Sequence, residues 1–154
     1  GEHAEAAIAL MLALDMKPVH VPGPVGRAST IKMIRSVLVK GIEALTAECF
    51  SAATIAGVAD EVAASLDASQ TKNGWEDQAA YNMERMTTHG IRRAAEMREV
   101  AITLADLNIA GRMTAGTIAW QDQLGNLGLS LLDTEGLEPR LSAIHNALDA
   151  QKSD

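Results

Sequence analysis

Aromatic side chains are almost missing from this sequence. Phe, Trp and Tyr supply 3% of its 154 residues, although hydrophobic residues together reach 47%. Ala, Leu, Ile, Val and Met must therefore fill the interior, which suits close-packed helices better than a sheet sandwich rich in Tyr, Phe and Thr. Cysteine is limited to Cys49, which excludes an intrachain disulfide and fits a reducing compartment, so a cytoplasmic location is expected. No apolar run approaches the roughly 20 residues of a membrane span, and no basic stretch leads into an apolar core as in a signal peptide. Long basic runs and aromatic platforms are also lacking, and the formal net charge is −7. Neither nucleic acid nor a membrane surface is expected as a partner. The four histidines, His3, His20, His89 and His145, are dispersed, with no pair four residues apart beside a carboxylate. No metal site is expected.

What is present is helical patterning. "GEHAEAAIALMLALDM" consists of strong helix formers and does not open on Met, so it reads as a helix already under way in a longer chain. "KPVHVPG" reads as a short strand, with Val19 and Val21 alternating around His20 and Pro22-Gly23 ending it. From Ser29, a plausible N-cap, a helical pattern continues to about Ala56. Ile34, Val37, Leu38, Gly41, Leu45, Cys49 and Ala52 line its apolar side, which Glu48 interrupts. Gly41 within that side suggests a close crossing by another helix, and Cys49 reads as a small packed hydrophobe. Further helices are expected at about 57–66, 75–87, 89–108, 112–124 and 137–151, punctuated by glycines, with Ser69 to Gly74 as the clearest loop.

The segment "PGPVGRASTIKMIRS" carries the chemical interest. Its two glycines do not make the G-x-G-x-x-G fingerprint of a dinucleotide loop. Gly26, close to a helix start, would allow a ligand carboxylate to approach backbone N–H groups. Lys32 falls in the first turn of the helix, where the dipole disfavours positive charge, and Ser36 follows one turn later on the same stripe. Either this is plain surface, or an anion belongs there. In "RRAAEMREV", Arg92, Glu96 and Glu99 share a polar face suited to i, i+4 pairing.

"VHVPGPVGRASTIKMIRSVLVKGIEAL" resembles the junction between the two domains of the β-hydroxyacid dehydrogenase superfamily, which includes 3-hydroxyisobutyrate and 6-phosphogluconate dehydrogenases. Lys32-Met33, Lys40-Gly41, Ala44-Leu45, Arg92/Arg93 and Glu96-Met97 resemble the branch with a variant C-terminal domain. The resemblance implies an all-α, multi-helix domain of the 6-phosphogluconate dehydrogenase C-terminal type, built on one long helix. It assigns residues 1–25 to the last helix and edge strand of a Rossmann domain, and 26–154 to the helical catalytic and dimerisation domain. It implies oxidation or reduction of the CH–OH group of a small acidic hydroxyacid with NAD or NADP, the cofactor being held mainly by the preceding domain. Lys32 takes the place of the catalytic proton donor and acceptor. Gly26, Arg35 and Ser36 take substrate-binding places, and Glu96 a place near the cofactor. Ser36 stands where the family usually has Asn, and Ala95-Glu96 where it has Lys-Asp, so the substrate is not fixed by the resemblance. A homodimer is expected. The competing expectation, from another class, is a non-enzymatic helical module that dimerises through its long helix.

Overall fold

The computed structural model describes residues 3–69 and 74–152. Its helices, in chain order, are α1 (Ala4–Ala13), α2 (Arg27–Ala56), α3 (Ala59–Ser69), α4 (Trp75–Asp106), α5 (Arg112–Gly125) and α6 (Leu137–Gln151). No strand occurs among the described residues, so the chain is all-α, as its composition indicates. The strand expected around Val19 and Val21 is a correction: residues 16–22 carry no regular secondary structure. A strand needs a neighbour for its ladder hydrogen bonds, and no described segment supplies one. The expected loop from Ser69 to Gly74 lies mostly outside the described residues. The chain divides into two compact units, residues 1–44 and 45–154.

In the first unit α1 is apolar around nearly its whole circumference, yet none of its residues is buried. It ends at Asp15, whose φ of 57° lets the Met16 N–H donate to the Met11 carbonyl at 3.0 Å. α2 starts two residues earlier than the expected Ser29 cap. Gly26, with φ of 96°, turns the chain into the helix, and its carbonyl accepts from the Thr30 N–H at 2.9 Å. Backbone geometry that only glycine adopts cheaply sets this helix start, not a serine hydroxyl. A Cβ at Gly41 would meet nothing within 4 Å, so the close crossing expected there is not made among the described residues. At its far end α2 closes on Gly57, φ 73°, with the Val58 N–H bonded to the Ala53 carbonyl at 2.9 Å.

In the second unit the expected helices at 75–87 and 89–108 are one helix, α4, of 32 residues. Reading the glycines as punctuation fails at Gly90 because Gly90 is buried against α5. A Cβ there would lie 2.3 Å from the Gln121 carbonyl oxygen, and one at Gly125 would lie 2.5 Å from the Ile91 nitrogen. Two bare backbones meet at this point, and their contact offsets the roughly 1 kcal/mol that glycine costs inside a helix. Arg98 of α4 and Asp122 of α5 add an ion pair across the same two helices. Leu124, Leu131 and Ile144 form the buried cluster, with Met83 and Met86 of α4 and Leu148 of α6 packed against it. Arg140 of α6 donates from Nε to the Thr134 carbonyl at 2.7 Å and from Nη1 to the Ala80 carbonyl at 2.6 Å, fixing the approach to α6 on α4.

Candidate functional site

Four of the five residues singled out from the sequence lie together at the start of α2, in the first unit; the fifth, Glu96, is on α4 in the second. Gly26 has open space where a side chain would be, so its backbone is bare. Lys32 and Arg35 are exposed, and their side chains make no hydrogen bond or ion pair among the described residues. Because α2 begins at Arg27, Lys32 is in its second turn rather than its first. The dipole acts mainly over the first turn, so the expected field against a charged lysine is weaker than the sequence suggested. Ser36 donates its hydroxyl proton to the Lys32 carbonyl at 2.8 Å. That leaves its oxygen lone pairs, as acceptors, for anything bound beside Lys32.

Glu96 is engaged elsewhere. Its carboxylate forms an ion pair with Arg92 four residues back, the i, i+4 pairing that the sequence pattern indicates. Both side chains are more than half exposed, so the pair adds a few tenths of a kcal/mol at most. The glycine turn before α2 does not have the spacing of the dinucleotide fingerprint.

Sequence reading missed the role of Glu48. One carboxylate oxygen accepts from the Thr114 N–H at 2.8 Å and the Thr114 hydroxyl at 2.6 Å, and the other from the Met113 N–H at 2.9 Å. This α2 side chain thus caps the N-terminus of α5, where free N–H groups and the dipole favour a carboxylate. Burial acts to raise its pKa, but the Thr114 hydroxyl and the N–H groups of Met113, Thr114 and Arg112 together outweigh burial and hold it below its ordinary value. The available signal was its position: an acid interrupting an apolar face requires a partner. Beside it lies an apolar groove of about 400 Å³, lined by Leu45, Cys49 and Ala52 of α2, Val62 of α3, and Val100 and Leu104 of α4. Cys49 is exposed in this groove, which corrects its reading as a packed hydrophobe. The α2 face is simply not covered at that point.

The class these features define is an all-α domain on a long helix that presents an unpaired lysine one turn from a serine, after a glycine turn. Residues 53–124 match the family described as Domain of unknown function (DUF1932), a helical type of domain found C-terminally in NAD(P)-binding, 3-hydroxyisobutyrate dehydrogenase-like proteins. Among solved structures the chain is similar to the conserved hypothetical protein from Sinorhizobium meliloti 1021, at 30% identity over 96% of this chain, with a TM-score of 0.44. The chain spans 50% of that protein's length. No curated protein matches. None of the described helices is long and apolar enough to cross a membrane.

Proposed function

We propose that this chain is the C-terminal helical part of an NAD(P)-dependent oxidoreductase acting on the CH–OH group of a small acidic hydroxyacid, with Lys32 exchanging the hydroxyl proton. The observation that carries the reading is the free, exposed ammonium of Lys32 beside an oriented Ser36, immediately after the bare backbone at Gly26. The match of residues 53–124 to a domain type of dehydrogenase-like proteins supports its coarser part. In this reading residues 1–25 close a cofactor-binding domain and residues 26–154 form the catalytic and dimerisation domain. NAD or NADP, held mainly by residues outside this chain, supplies hydride chemistry when bound.

Lys32 Nζ, as the neutral amine, takes the proton from the substrate hydroxyl during oxidation and becomes the ammonium, and the ammonium returns that proton during reduction. Ser36 Oγ, whose own proton is committed to the Lys32 carbonyl, is left as an acceptor one turn from Lys32 and can receive a hydrogen bond from the Lys32 amino group, orienting it. The Gly26 backbone and the Arg35 guanidinium hold the acid group. In the full-length protein, Lys32→Ala is expected to lower turnover about 10²–10⁴-fold, as when a positioned acid or base is lost. Lys40→Ala, two turns along and about 80° round the helix, is the control and leaves turnover nearly intact. Equal activity of the two variants would return Lys32 to ordinary surface.

A second reading, a non-enzymatic dimerisation module, draws on the exposed apolar side chains of α1 and α2, among them Leu10, Leu12, Ile34 and Val37. Dimerisation is compatible with either reading. Only the loss of Lys32-dependent turnover separates them.

A further inference from the structure

Residues 45–69, the C-terminal half of α2 together with α3, are thinly buried. Ala53 is the one buried residue that α2 supplies, and α3 supplies none. α4 by contrast buries Ala80, Thr87, Gly90, Ala94 and Leu104. The two sides do not close on each other either. The groove of about 400 Å³ runs along their seam, lined by Leu45, Cys49 and Ala52 of α2 and by Val100 and Leu104 of α4. Well-packed interiors leave few voids larger than a water molecule, so this seam gains little from dispersion or apolar burial. Across it Glu48 accepts from the N–H groups of Met113 and Thr114 at 2.9 and 2.8 Å and from the Thr114 hydroxyl at 2.6 Å. Hydrogen bonds to an ionised carboxylate are roughly twice as strong as neutral ones, so these three are a large part of what holds α2 there. α3 has no slack to stay behind. Gly57 and Val58 alone separate it from α2, and the Val58 N–H is bonded back to the Ala53 carbonyl at 2.9 Å.

We infer that residues 45–69 open from α4, α5 and α6 as one arm while those three helices stay folded, and that Glu48 is the latch. Opening widens the groove and bares Val100 and Leu104 of α4, so the Glu48 hydrogen bonds control access to that apolar face. The device is independent of whether the chain is an oxidoreductase.

Native-state hydrogen exchange of the full-length protein at neutral pH, read by mass spectrometry, tests the latch. Once undocked, a helix of 11 residues such as α3 is marginal in water, so its amides exchange when the arm lifts. In the wild type, residues 45–69 are expected to exchange at least about tenfold faster than α4 around Gly90, after correction for intrinsic rates. Glu48→Gln is expected to speed exchange of the arm about tenfold further. Thr114→Val, which removes one acceptor bond of the same carboxylate, acts in the same direction by a smaller factor. Ile144→Val thins the buried cluster under α4 and leaves the seam untouched. It is expected to speed exchange around Gly90 about threefold to tenfold. The arm should stay within about twofold of wild type, because lifting it does not unfold that cluster. Equal protection of the arm and α4 in the wild type overturns the inference, since the unit then opens all at once. So does an arm that responds to Ile144→Val as strongly as α4 does. An arm indifferent to Glu48→Gln overturns the latch itself.

Discussion

At the residue scale, Glu48 illustrates how one carboxylate can join segments far apart in sequence. It accepts from Met113 and Thr114, 65 and 66 residues away, so the C-terminal half of α2 and the start of α5 share a fastening. Its pKa is held below 4.5, so its contribution is fully present above that value and is lost as pH falls through the lower, folded-state value. Glu48→Gln keeps the shape but points an amide group at N–H donors. It is expected to lower stability at neutral pH by about 1–2 kcal/mol. Below about pH 4.5 the gap should close, because the wild-type carboxyl is then being protonated too. Urea unfolding at pH 7 and at pH 3.5 measures both halves of this expectation. A gap that stays constant between the two pH values would mean that the carboxylate charge is irrelevant to the cap.

At the element scale, glycine has three distinct roles in one chain. Gly26 and Gly57 bound α2 through positive φ, and Gly41 sits mid-helix facing open space. Gly90 instead makes α4 and α5 a close pair. Gly90→Ala gains helix propensity of about 1 kcal/mol but drives a Cβ into backbone that cannot rotate away. Overpacking of this kind costs typically about 1–3 kcal/mol, occasionally more. The net expectation is destabilisation, seen as a fall of several degrees in Tm. Gly116→Ala, inside α5 with nothing within 4 Å, is expected to be neutral or mildly stabilising. Thermal unfolding of the two variants side by side checks the contrast, and a stabilised Gly90→Ala would refute the close crossing.

At the scale of the whole molecule, α1 and α2 carry large exposed apolar side chains. Leu10, Leu12 and Leu14 are 63%, 59% and 66% exposed, and Ile34 and Val37 are 67% and 76% exposed. Surfaces of this kind mark interaction sites in soluble proteins. We propose that a second copy covers the α2 face, where open Gly41 lets a helix approach closely. Light scattering at micromolar concentration is expected to give twice the 16.3 kDa chain mass. A Gly41→Leu variant, harmless to the isolated helix, is expected to shift the mass toward the monomer. A wild-type monomer would count against the helical-pairing architecture in either functional reading.

The sequence by itself determined the helical class, because a chain so poor in aromatics and so rich in Ala, Leu and Met has few other ways to fill a core. It also determined most helix bounds, since local propensity and the glycine turns act over a few residues. That Lys32, Arg35 and Ser36 lie near one another was legible for the same reason: they follow one another on a single helix. Only the tertiary structure decided that Gly90 joins helices instead of breaking one. It also decided that Val19 and Val21 form no strand, that Cys49 is uncovered, and that Glu48 is a cap. Each of these depends on a partner distant in the chain, and a periodic pattern contains no information about which distant backbone arrives beside it.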